Sequence, residues 1–429
     1  MKRHRKVVAA TGFLAVGLLA ASCGSSSTAK KDDKSSTTVK SSAAARPKDG
    51  KLVIGELLPE TGSLAFLGPP EFAGVALAKK DIDEAGGVLG KPIEILKGDS
   101  GDTSTDIANQ TTDKHLAAGA DVILGAASSG VTKTVIDKIV NAGVIQFSPA
   151  NTAPDFTTYK DNGLYFRTAP SDVLQGRVLS DLVAAGGGKK VGILARQDPY
   201  GQGLLKYTRD PLKEAKIDVT EVVYDPEAQN FDAEVDKIAG IKPDNVVVIG
   251  FDESAKILTK MIEKKIGPKD IKIWLVDGNI GNALGAKFAS QPGALQGVKG
   301  SLPSAQLKDD FKNRLKAIDP NLKDYSYSGE SYDAVIIVAL AAEVAKSDAP
   351  GDIAKQINGV TKGGTKCTTY KECLALVKAG KDIDYDGIGG PYEFGDAGEP
   401  NQASFAIQQY GADNKIDDSK TEYKFAKIA

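Results

Sequence analysis

The chain has 429 residues, of which 26% are charged and 41% are hydrophobic, and it carries a formal net charge of −2. This apolar content excludes an intrinsically disordered chain, and the mean hydropathy of −0.20 excludes a protein with many membrane spans. The near-neutral charge gives no general attraction to nucleic acid, and a count of two histidines argues against histidine-based metal sites and Ser-His or Cys-His catalysis.

The first 22 residues have the layout of an export signal. A basic start is followed by an apolar stretch at 7–21 that is too short to span a membrane comfortably. Small residues directly before Cys23 resemble a bacterial lipobox, in which the cysteine is lipidated and becomes the mature N-terminus. We therefore predict a lipoprotein signal peptide at 1–22 and a lipid anchor on Cys23, with an ordinary secretory cleavage site as the alternative.

A segment rich in Ser, Thr, Ala and Lys follows Cys23 and extends to Gly50 without an apolar period. Such a composition predicts a flexible tether at 23–50 that lifts a folded domain off a membrane. The signal peptide contains four basic and no acidic side chains, so the mature chain has a formal charge of −6. The predicted location is extracytoplasmic, with the lipid anchor in the cell membrane of a bacterium.

From residue 51 onward, short apolar runs alternate with amphipathic helical stretches. The predicted strands lie at 52–54, 93–96, 121–124, 144–147, 190–194, 245–249 and 271–275, and helices are predicted at 69–82, 105–118 and 131–140. This alternation predicts an α/β fold with parallel sheets covered by helices on both faces. About 380 residues favour two sheets rather than one, and such sheets bind ligands at the carboxyl ends of their strands.

Motifs of nucleotide binding and covalent catalysis are missing from the sequence. The glycine-lysine segment at 186–190 lacks the spacing of a phosphate-binding loop, and 278–285 lacks the dinucleotide fingerprint. No Gly-x-Ser-x-Gly segment occurs, and nothing in the sequence indicates a base that would activate Ser129. His115 lies in a polar helical stretch and is expected at the surface. We therefore predict a protein that is not an enzyme and needs no cofactor.

One acidic segment, from Asp382 to Glu393, fits the expression for a calcium-binding loop. Its acidic residues have the required spacing, but Pro391 and the strand-like residues after it leave no second helix to complete a helix–loop–helix hand. An acidic turn that leads into a strand is therefore favoured over calcium binding, and no metal site is predicted.

Cys367 and Cys373 are the only cysteines besides Cys23. Outside the cytoplasm, two cysteines at this spacing favour a disulfide that closes a short surface loop. A metal site would need further Cys or His ligands, which the chain lacks. We therefore predict a disulfide with a structural role.

Polar residues follow two neighbouring predicted strands. Ser129 comes after the strand at 121–124 and just before a helical stretch, where backbone N–H groups and the helix dipole favour a carboxylate, although a plain N-cap is the alternative. A second polar loop follows the strand at 144–147 and includes Thr152. Both loops together predict a site for one small anionic group.

A longer series of residues resembles the Leu/Ile/Val-binding protein family, whose members are extracytoplasmic receptors of ABC importers. The resemblance extends from about residue 51 to about residue 410, and a turn at 390–394 adds to it. The residues that carry it are Gly55, Pro59, Gly62, Gly68, Asp99, Ser128, Ser129, Thr132, Ser148 to Pro154, Arg167, Thr168, Tyr200 to Gly203, and Tyr332 to Ala334.

The resemblance implies a two-lobed type I periplasmic-binding protein fold, in which each lobe is a mainly parallel sheet flanked by helices. Three crossings join the lobes in this fold, and we place them near Pro170, Ser301 and Gln402. The predicted domains are lobe 1, at 51–170 and 301–401, and lobe 2, at 171–300 and 402–429.

The resemblance also implies which residues contact a ligand in the cleft between the lobes. Ser129 and Thr152 would hold an α-carboxylate, and Ala150 would offer its carbonyl oxygen to an α-ammonium. Tyr200 would close over the ligand from the second lobe, and Asn151, which replaces an alanine of the family, would add a polar contact. The pocket for the ligand's side chain would include Leu67, Phe66 and Phe251.

The acid that pairs with the ammonium in this family aligns with Gly278, while Asp277 stands one residue earlier. If Asp277 points into the cleft, an amino acid is the expected ligand, because a buried ammonium needs a countercharge. If it points away, an amide, a urea-like compound or an organic acid is expected. Asp252 and Glu253 are alternative acids, although both are equally consistent with solvated positions at a helix start.

Together these features predict a monomeric solute receptor that binds a small amino acid-like ligand by hinge closure of two lobes. It would deliver the ligand to the permease and ATPase subunits of an ABC importer. A sensory lipoprotein that is read by a different membrane partner is the alternative.

Overall fold

The computed structural model describes residues 48–428, which form the body of the protein. The predicted signal peptide, Cys23 and most of the predicted tether lie outside the described residues. Within 48–428, no helix is long and apolar enough to cross a membrane.

Fifteen strands and twelve α-helices are formed by these residues. The strands are β1 (Val53–Leu57), β2 (Glu94–Leu96), β3 (Val122–Gly125), β4 (Ile145–Ser148), β5 (Tyr165–Arg167), β6 (Lys190–Arg196), β7 (Asp218–Tyr224), β8 (Asn245–Ile249), β9 (Lys272–Leu275), β10 (Lys299–Pro303), β11 (Thr365–Cys367), β12 (Ile383–Gly387), β13 (Gly390–Pro391), β14 (Gln402–Gln409) and β15 (Glu422–Lys427). The helices are α1 (Gly68–Glu84), α2 (Ile107–Ala117), α3 (Ser129–Asn141), α4 (Asp172–Ala185), α5 (Pro199–Glu214), α6 (Asp232–Gly240), α7 (Ser254–Glu263), α8 (Asn282–Ala286), α9 (Asp309–Ile318), α10 (Ser328–Ala345), α11 (Pro350–Ile357) and α12 (Tyr370–Lys378).

The first sheet contains five parallel strands in the order β2-β1-β3-β4-β5. Every residue of β1 and β3 is buried, because α2 and α3 pack on one face of the sheet and α1 and α10 pack on the other. A sheet covered on both faces explains why these strands are continuous apolar runs rather than alternating ones.

The second sheet contains seven strands in the order β15-β14-β10-β9-β8-β6-β7. Strands β6 to β10 are parallel, whereas β14 and β15 are antiparallel additions at one edge. The two sheets confirm the predicted α/β fold with mainly parallel lobes, and the strand predicted at 245–249 coincides with β8. The domain boundaries remain predictions; Ser301 lies inside β10, and β14 begins at Gln402.

The acidic segment belongs to a small third sheet with the order β11-β12-β13. It folds as β12, a turn and β13, which agrees with the favoured interpretation of a turn and strand. Lys366 Nζ pairs with the carboxylates of Asp384 at 3.4 Å and Asp386 at 2.8 Å. These acids therefore already have a cationic partner.

Cys367 and Cys373 form the predicted disulfide, six residues apart, with both side chains buried. Replacing both by alanine should lower the free energy of unfolding by about 2 kcal/mol, since the bond restrains only a short loop of the unfolded chain. Urea denaturation with and without a reductant measures this loss. The reductant should destabilise the native protein and leave the double variant unchanged; an equal effect on both would assign the loss to something other than the disulfide.

His115 was expected at the surface, and the structure corrects this, because the side chain is only 4% exposed. Its Nε2 lies 2.7 Å from the carbonyl oxygen of Glu56 in β1. The imidazole fits there because Gly55 and Gly98 lack side chains: a Cβ on either would lie 2.7 Å from a ring atom of His115. Tertiary packing against two distant glycines is not visible in the polar pattern of α2.

Candidate functional site

The candidate site lies where the carboxyl ends of β3 and β4 are adjacent. Asn151, in the loop after β4, holds the two strand-end loops together. Its Nδ2 donates hydrogen bonds to the carbonyl oxygens of Ala126 and Ala127 at 2.9 and 2.8 Å, and its Oδ1 accepts one from the Tyr165 hydroxyl at 2.9 Å. Strand-end loops of this kind are where parallel sheets bind ligands.

Helix α3 begins at Ser129 in the loop after β3. The hydroxyl of Ser128 accepts a hydrogen bond from the amide of Val131 and therefore supplies the N-cap. The hydroxyl of Ser129 accepts a bond from the amide of Ala153 at 3.3 Å, across the gap between the two loops. Since the first N–H groups of a helix lack intrahelical partners and its dipole is positive at this end, the position favours a carboxylate.

A small cavity, with about 240 Å³ of empty space counting its opening to solvent, lies beside Ser129. Six of the nine predicted ligand-binding residues line it, namely Leu67, Ser129, Ala150, Tyr200, Phe251 and Asp277. Further parts of its wall are formed by Leu64, Ala127, Gly278 and Tyr327. The cavity is therefore formed between segments that belong to both sheets, and the predicted roles of its residues in binding remain predictions.

Asp277, directly after β9, carries a buried carboxylate in the wall of this cavity. Its Oδ1 accepts hydrogen bonds from the Tyr200 hydroxyl at 2.7 Å and from Gln175 Nε2 at 2.8 Å, and its Oδ2 accepts one from the Tyr327 hydroxyl at 2.7 Å. Burial raises the pKa of Asp277, and the three donors oppose that rise. A carboxylate offers about four acceptor positions, so one remains on Oδ2.

Asp172 is a second buried acid near the same cavity, at the first position of α4. Its two carboxylate oxygens and the nearby Thr152 Oγ1 make no hydrogen bond of normal geometry to the described residues. Burial and then the charge of Asp277 raise the pKa of Asp172 well above its ordinary value, while Arg167 and the Thr152 hydroxyl oppose the rise. Two such acids close together stabilise a bound cation or retain a proton.

Arg167 in β5 lies close enough to influence Asp172, but its charge is already compensated. Its guanidinium is fully buried and donates to the Glu399 carboxylate at 2.8 Å from Nε and 2.5 Å from Nη2. Nη1 donates to the carbonyl oxygens of Asn151 and Ala153 at 3.2 and 2.9 Å. Arg167 therefore fixes the loop after β4 and leaves the two aspartates without a cation of their own.

Phe251 forms an aromatic wall of the cavity. Its ring stacks on Tyr200 with centroids 5.3 Å apart, and the Arg196 guanidinium lies 3.5 Å from its centroid. A Cβ on Gly278 would lie 2.7 Å from this ring and from the carbonyl oxygen of Gly250. Position 278 therefore has no space for an acidic side chain, and the acid in the cavity wall is Asp277.

Three predicted residues do not line this cavity. The Asn151 side chain is directed toward Ala126 and Tyr165, Thr152 lies beside Asp172, and Phe66 lines an adjoining small cavity together with Phe251.

Sequence reasoning missed Asp172, Gln175 and Tyr327. Asp172 follows Ser171, which caps α4, and an acid in that place is an ordinary feature of a helix start. Tyr327 reaches Asp277 from 50 residues away in sequence and carried no motif. The only sequence signal for these three residues was the position of Asp172, an acid at the start of a helix directly after the crossing predicted near Pro170.

The sequence matches the periplasmic binding protein family over residues 51–415. It is 28% identical to a Leu/Ile/Val-binding protein homolog of Brucella abortus over 354 residues, which cover 79% of this chain and 87% of that protein.

Solved structures that share its fold include the following two. One is a branched-chain amino acid transporter substrate binding protein from Streptococcus pneumoniae in complex with isoleucine, with a TM-score of 0.71 and 22% identity over 88% of this chain and 100% of that one. The other is an ABC transporter solute binding protein from R. palustris in complex with benzoate, with a TM-score of 0.67 and 22% identity over 89% of this chain and 97% of that one. With this fold, and with a family match over most of its length, the chain belongs to the periplasmic binding protein family.

Proposed function

We propose that this protein is the solute receptor of an ABC importer and binds a small apolar α-amino acid in the cavity between its two sheets. The observation that carries the proposal is that one cavity offers both a buried carboxylate and the N-terminus of a helix. The same cavity is lined by the buried acid Asp277 and by Ser129 at the N-terminus of α3, and a second buried acid, Asp172, lies close to Asp277. A zwitterion is complementary to this arrangement.

The ammonium end of the ligand is assigned to the acids because they lack a cation within the described residues. Arg167 is neutralised by Glu399, and the donors that reach Asp277 are neutral groups. A buried carboxylate without a countercharge is costly, so an ammonium that enters the cavity relieves that cost.

The side-chain end of the ligand is assigned to the apolar wall. Leu64, Leu67, Ala127 and Phe251 present only carbon atoms of their side chains to the cavity. This apolar wall favours an uncharged, apolar side chain over a charged one.

An organic acid without an amine is the second candidate ligand, and one observation favours it. Asp277 already receives three hydrogen bonds from the protein, so its carboxylate is partly satisfied before any ligand binds. The relative from R. palustris in complex with benzoate shows that this fold also accommodates a ligand without an amine.

A thermal-shift screen of the purified protein against the twenty amino acids tests the proposal, since a ligand that binds only the folded state raises the melting midpoint with concentration. For each amino acid that binds, its amide and its des-amino acid separate the two candidates; for leucine these are leucinamide and 4-methylpentanoate. The amino acid should raise the melting midpoint more than either analogue does at the same concentration. Stronger stabilisation by the des-amino acid would select the organic acid, and no shift with any compound would overturn the receptor proposal.

Replacing Ser129 by alanine should weaken amino acid binding about tenfold, because a charge-assisted hydrogen bond to the ligand carboxylate is lost. Calorimetric titration measures the affinity. The control is Ser128→Ala, which removes the N-cap of α3 and should cost about 1 kcal/mol of stability while affecting binding less. The reverse pattern, with Ser128 the more important for binding, would move the carboxylate contact away from Ser129.

Membrane anchoring through Cys23 and a handover to a permease and ATPase complete the proposed function. Membership of the periplasmic binding protein family supports a binding receptor in the extracytoplasmic space. Cys23→Ala should release the protein from the membrane fraction of expressing cells, whereas a protein that stays in that fraction would contradict the lipid anchor.

A further inference from the structure

One edge of the second sheet carries a cluster of lysines. Strands β6 to β9 are parallel and paired in register, so their amino ends lie side by side. The loops that reach this edge from α4, α5, α6 and α7 are 186–189, 215–217, 241–244 and 264–271, and we call their surface the basic edge. The candidate cleft lies at the carboxyl ends of the same strands, so the basic edge is at the opposite end of the sheet.

The basic edge has an excess of four positive charges. Its loops contain two acids, Asp244 and Asp270, and six lysines, which are Lys189, Lys216, Lys242, Lys264, Lys265 and Lys269. Within two residues on either side of these loops, three lysines and three acids cancel. The loops that lead from α1, α2 and α3 into the first sheet contain only one lysine and one aspartate. The excess is therefore local, on a chain with a formal net charge of −2.

The lysines of the basic edge are available to a partner. All six are exposed, and among the described residues only Lys264 forms an ion pair, with Asp236 at 2.5 Å. The two acids are held by the backbone instead: the Asp244 carboxylate accepts hydrogen bonds from the amides that open β6 at 3.0 and 3.1 Å, and Asp270 accepts one from the Gly267 amide at 3.3 Å. Five ammonium groups therefore form no ion pair within residues 48–428.

Three of these lysines have a backbone conformation that favours glycine. Lys216, Lys242 and Lys265 follow α5, α6 and α7 with φ of 61°, 50° and 61°. Gly119 and Gly143 follow α2 and α3 of the first sheet in the same way, with φ of 86° and 71°. A left-handed lysine costs free energy that glycine avoids. All these helices present the same negative dipole end, so the dipole alone does not account for lysine at the second sheet.

An anionic lipid surface is complementary to the basic edge. Neighbouring strands lie about 4.8 Å apart, so the loops before four strands spread their charges over at least about 14 Å. Such a spread matches many phosphate groups rather than one, and lysine binds phosphate as a point charge. Residues 24–47 separate the proposed anchor at Cys23 from Lys48 and extend over at most about 85 Å, so a weak attraction would act at a high effective concentration.

We propose that the basic edge is a docking surface for the headgroups of an anionic bilayer. The contact holds the amino edge of the second sheet toward the lipid and leaves the candidate cleft, at the other end of the strands, free to bind its ligand. The docking is electrostatic and independent of the amino acid proposed for the cleft.

Sedimentation with lipid vesicles tests the proposal, using the mature chain without its lipid, expressed from residue 24. It should bind vesicles that contain phosphatidylglycerol at low salt, bind pure phosphatidylcholine vesicles about tenfold more weakly or less, and be released at high salt. The variant Lys216→Gly/Lys242→Gly/Lys265→Gly should weaken binding to the anionic vesicles by about tenfold or more. Its melting midpoint should not fall, because glycine suits the left-handed positions.

The matched control is Lys316→Gln/Lys346→Gly/Lys371→Gln, which removes the same charge from exposed or left-handed positions outside the second sheet. It should bind like the native protein. Both variants keep residues 24–47, so the lysines of that segment contribute equally to each. Lys189→Gln/Lys265→Gln/Lys269→Gln removes charge from the basic edge by a second route and should also weaken binding.

Equal binding to anionic and neutral vesicles would overturn the proposal. Native-like binding by both folded variants of the basic edge would overturn it too, because the attraction would then come from residues 24–47 or another surface. A loss in the control as large as that in the glycine variant would show a response to net charge alone, which is also incompatible with a docking surface at the basic edge.

Discussion

Replacing Asp277 by asparagine should remove most of the affinity for an α-amino acid. Asparagine keeps the size of the side chain but not its charge, so a buried ammonium loses its countercharge. Truncation of one partner of a buried charge pair costs about 2–5 kcal/mol, which corresponds to a loss of roughly thirtyfold or more in affinity. Calorimetric titration with the best ligand of the amino acid screen measures the loss.

Asp252→Asn is the matched control for this prediction. Asp252 is the other acid that sequence reasoning offered for the ammonium, but its side chain is 50% exposed and paired with Lys287. Its removal should therefore leave the affinity unchanged. If Asp252→Asn weakens binding and Asp277→Asn does not, the ammonium lies at the mouth of the cleft rather than in the cavity.

The pH dependence of binding follows from the same two acids. Since burial raises the pKa values of both Asp172 and Asp277, the unliganded pair retains a proton to higher pH than an exposed aspartate does. An ammonium competes with that proton, so affinity should fall as the pH is lowered through the titration of the pair. Asp172→Asn should flatten this dependence. A flat profile in the native protein would show that both acids are already ionised without ligand.

Local periodicity was enough to predict an α/β fold with parallel sheets, whereas the two-lobed arrangement followed from the family resemblance. The strand predicted at 245–249 matches β8, and the helix predicted at 69–82 is the core of α1, because the continuous apolar run and the amphipathic pattern are each dictated by burial against neighbouring layers. The loops after β3 and β4 were located for the same reason, since they follow directly from where those strands end.

The contacts inside the site were only partly predictable. Ser129 and Asp277 stand next to strands, and their approach to one cavity follows from sheet geometry. Tyr327 has a left-handed backbone with φ of 58° before α10, and nothing local indicates that it reaches Asp277. His115 was misplaced because its environment depends on glycines in other elements. Such errors arise where distant segments determine what one side chain contacts.

Replacing Arg167 by methionine should cause the largest loss of stability of any change considered. Methionine fills much of the same volume, but Glu399 would remain buried, with its side chain 5% exposed, and without a countercharge. Removing one partner of a buried ion pair costs about 3–5 kcal/mol. The carbonyl oxygens of Asn151 and Ala153 also lose their donors, so the loop that carries Ala150 should loosen and amino acid affinity should fall. Urea denaturation and calorimetric titration measure the two effects.

Arg177→Met provides the matched control, because Arg177 forms an exposed pair with Asp181 at 3.9 Å and such surface pairs contribute little. It should leave both stability and binding unchanged. The double variant Arg167→Met/Glu399→Gln should recover part of the lost stability, because the uncompensated charge is gone, yet it should not recover binding, since the loop after β4 still lacks the Arg167 donors. Recovery of both would show that the charge of Glu399, rather than the anchoring of the loop, is what connects Arg167 to the ligand site.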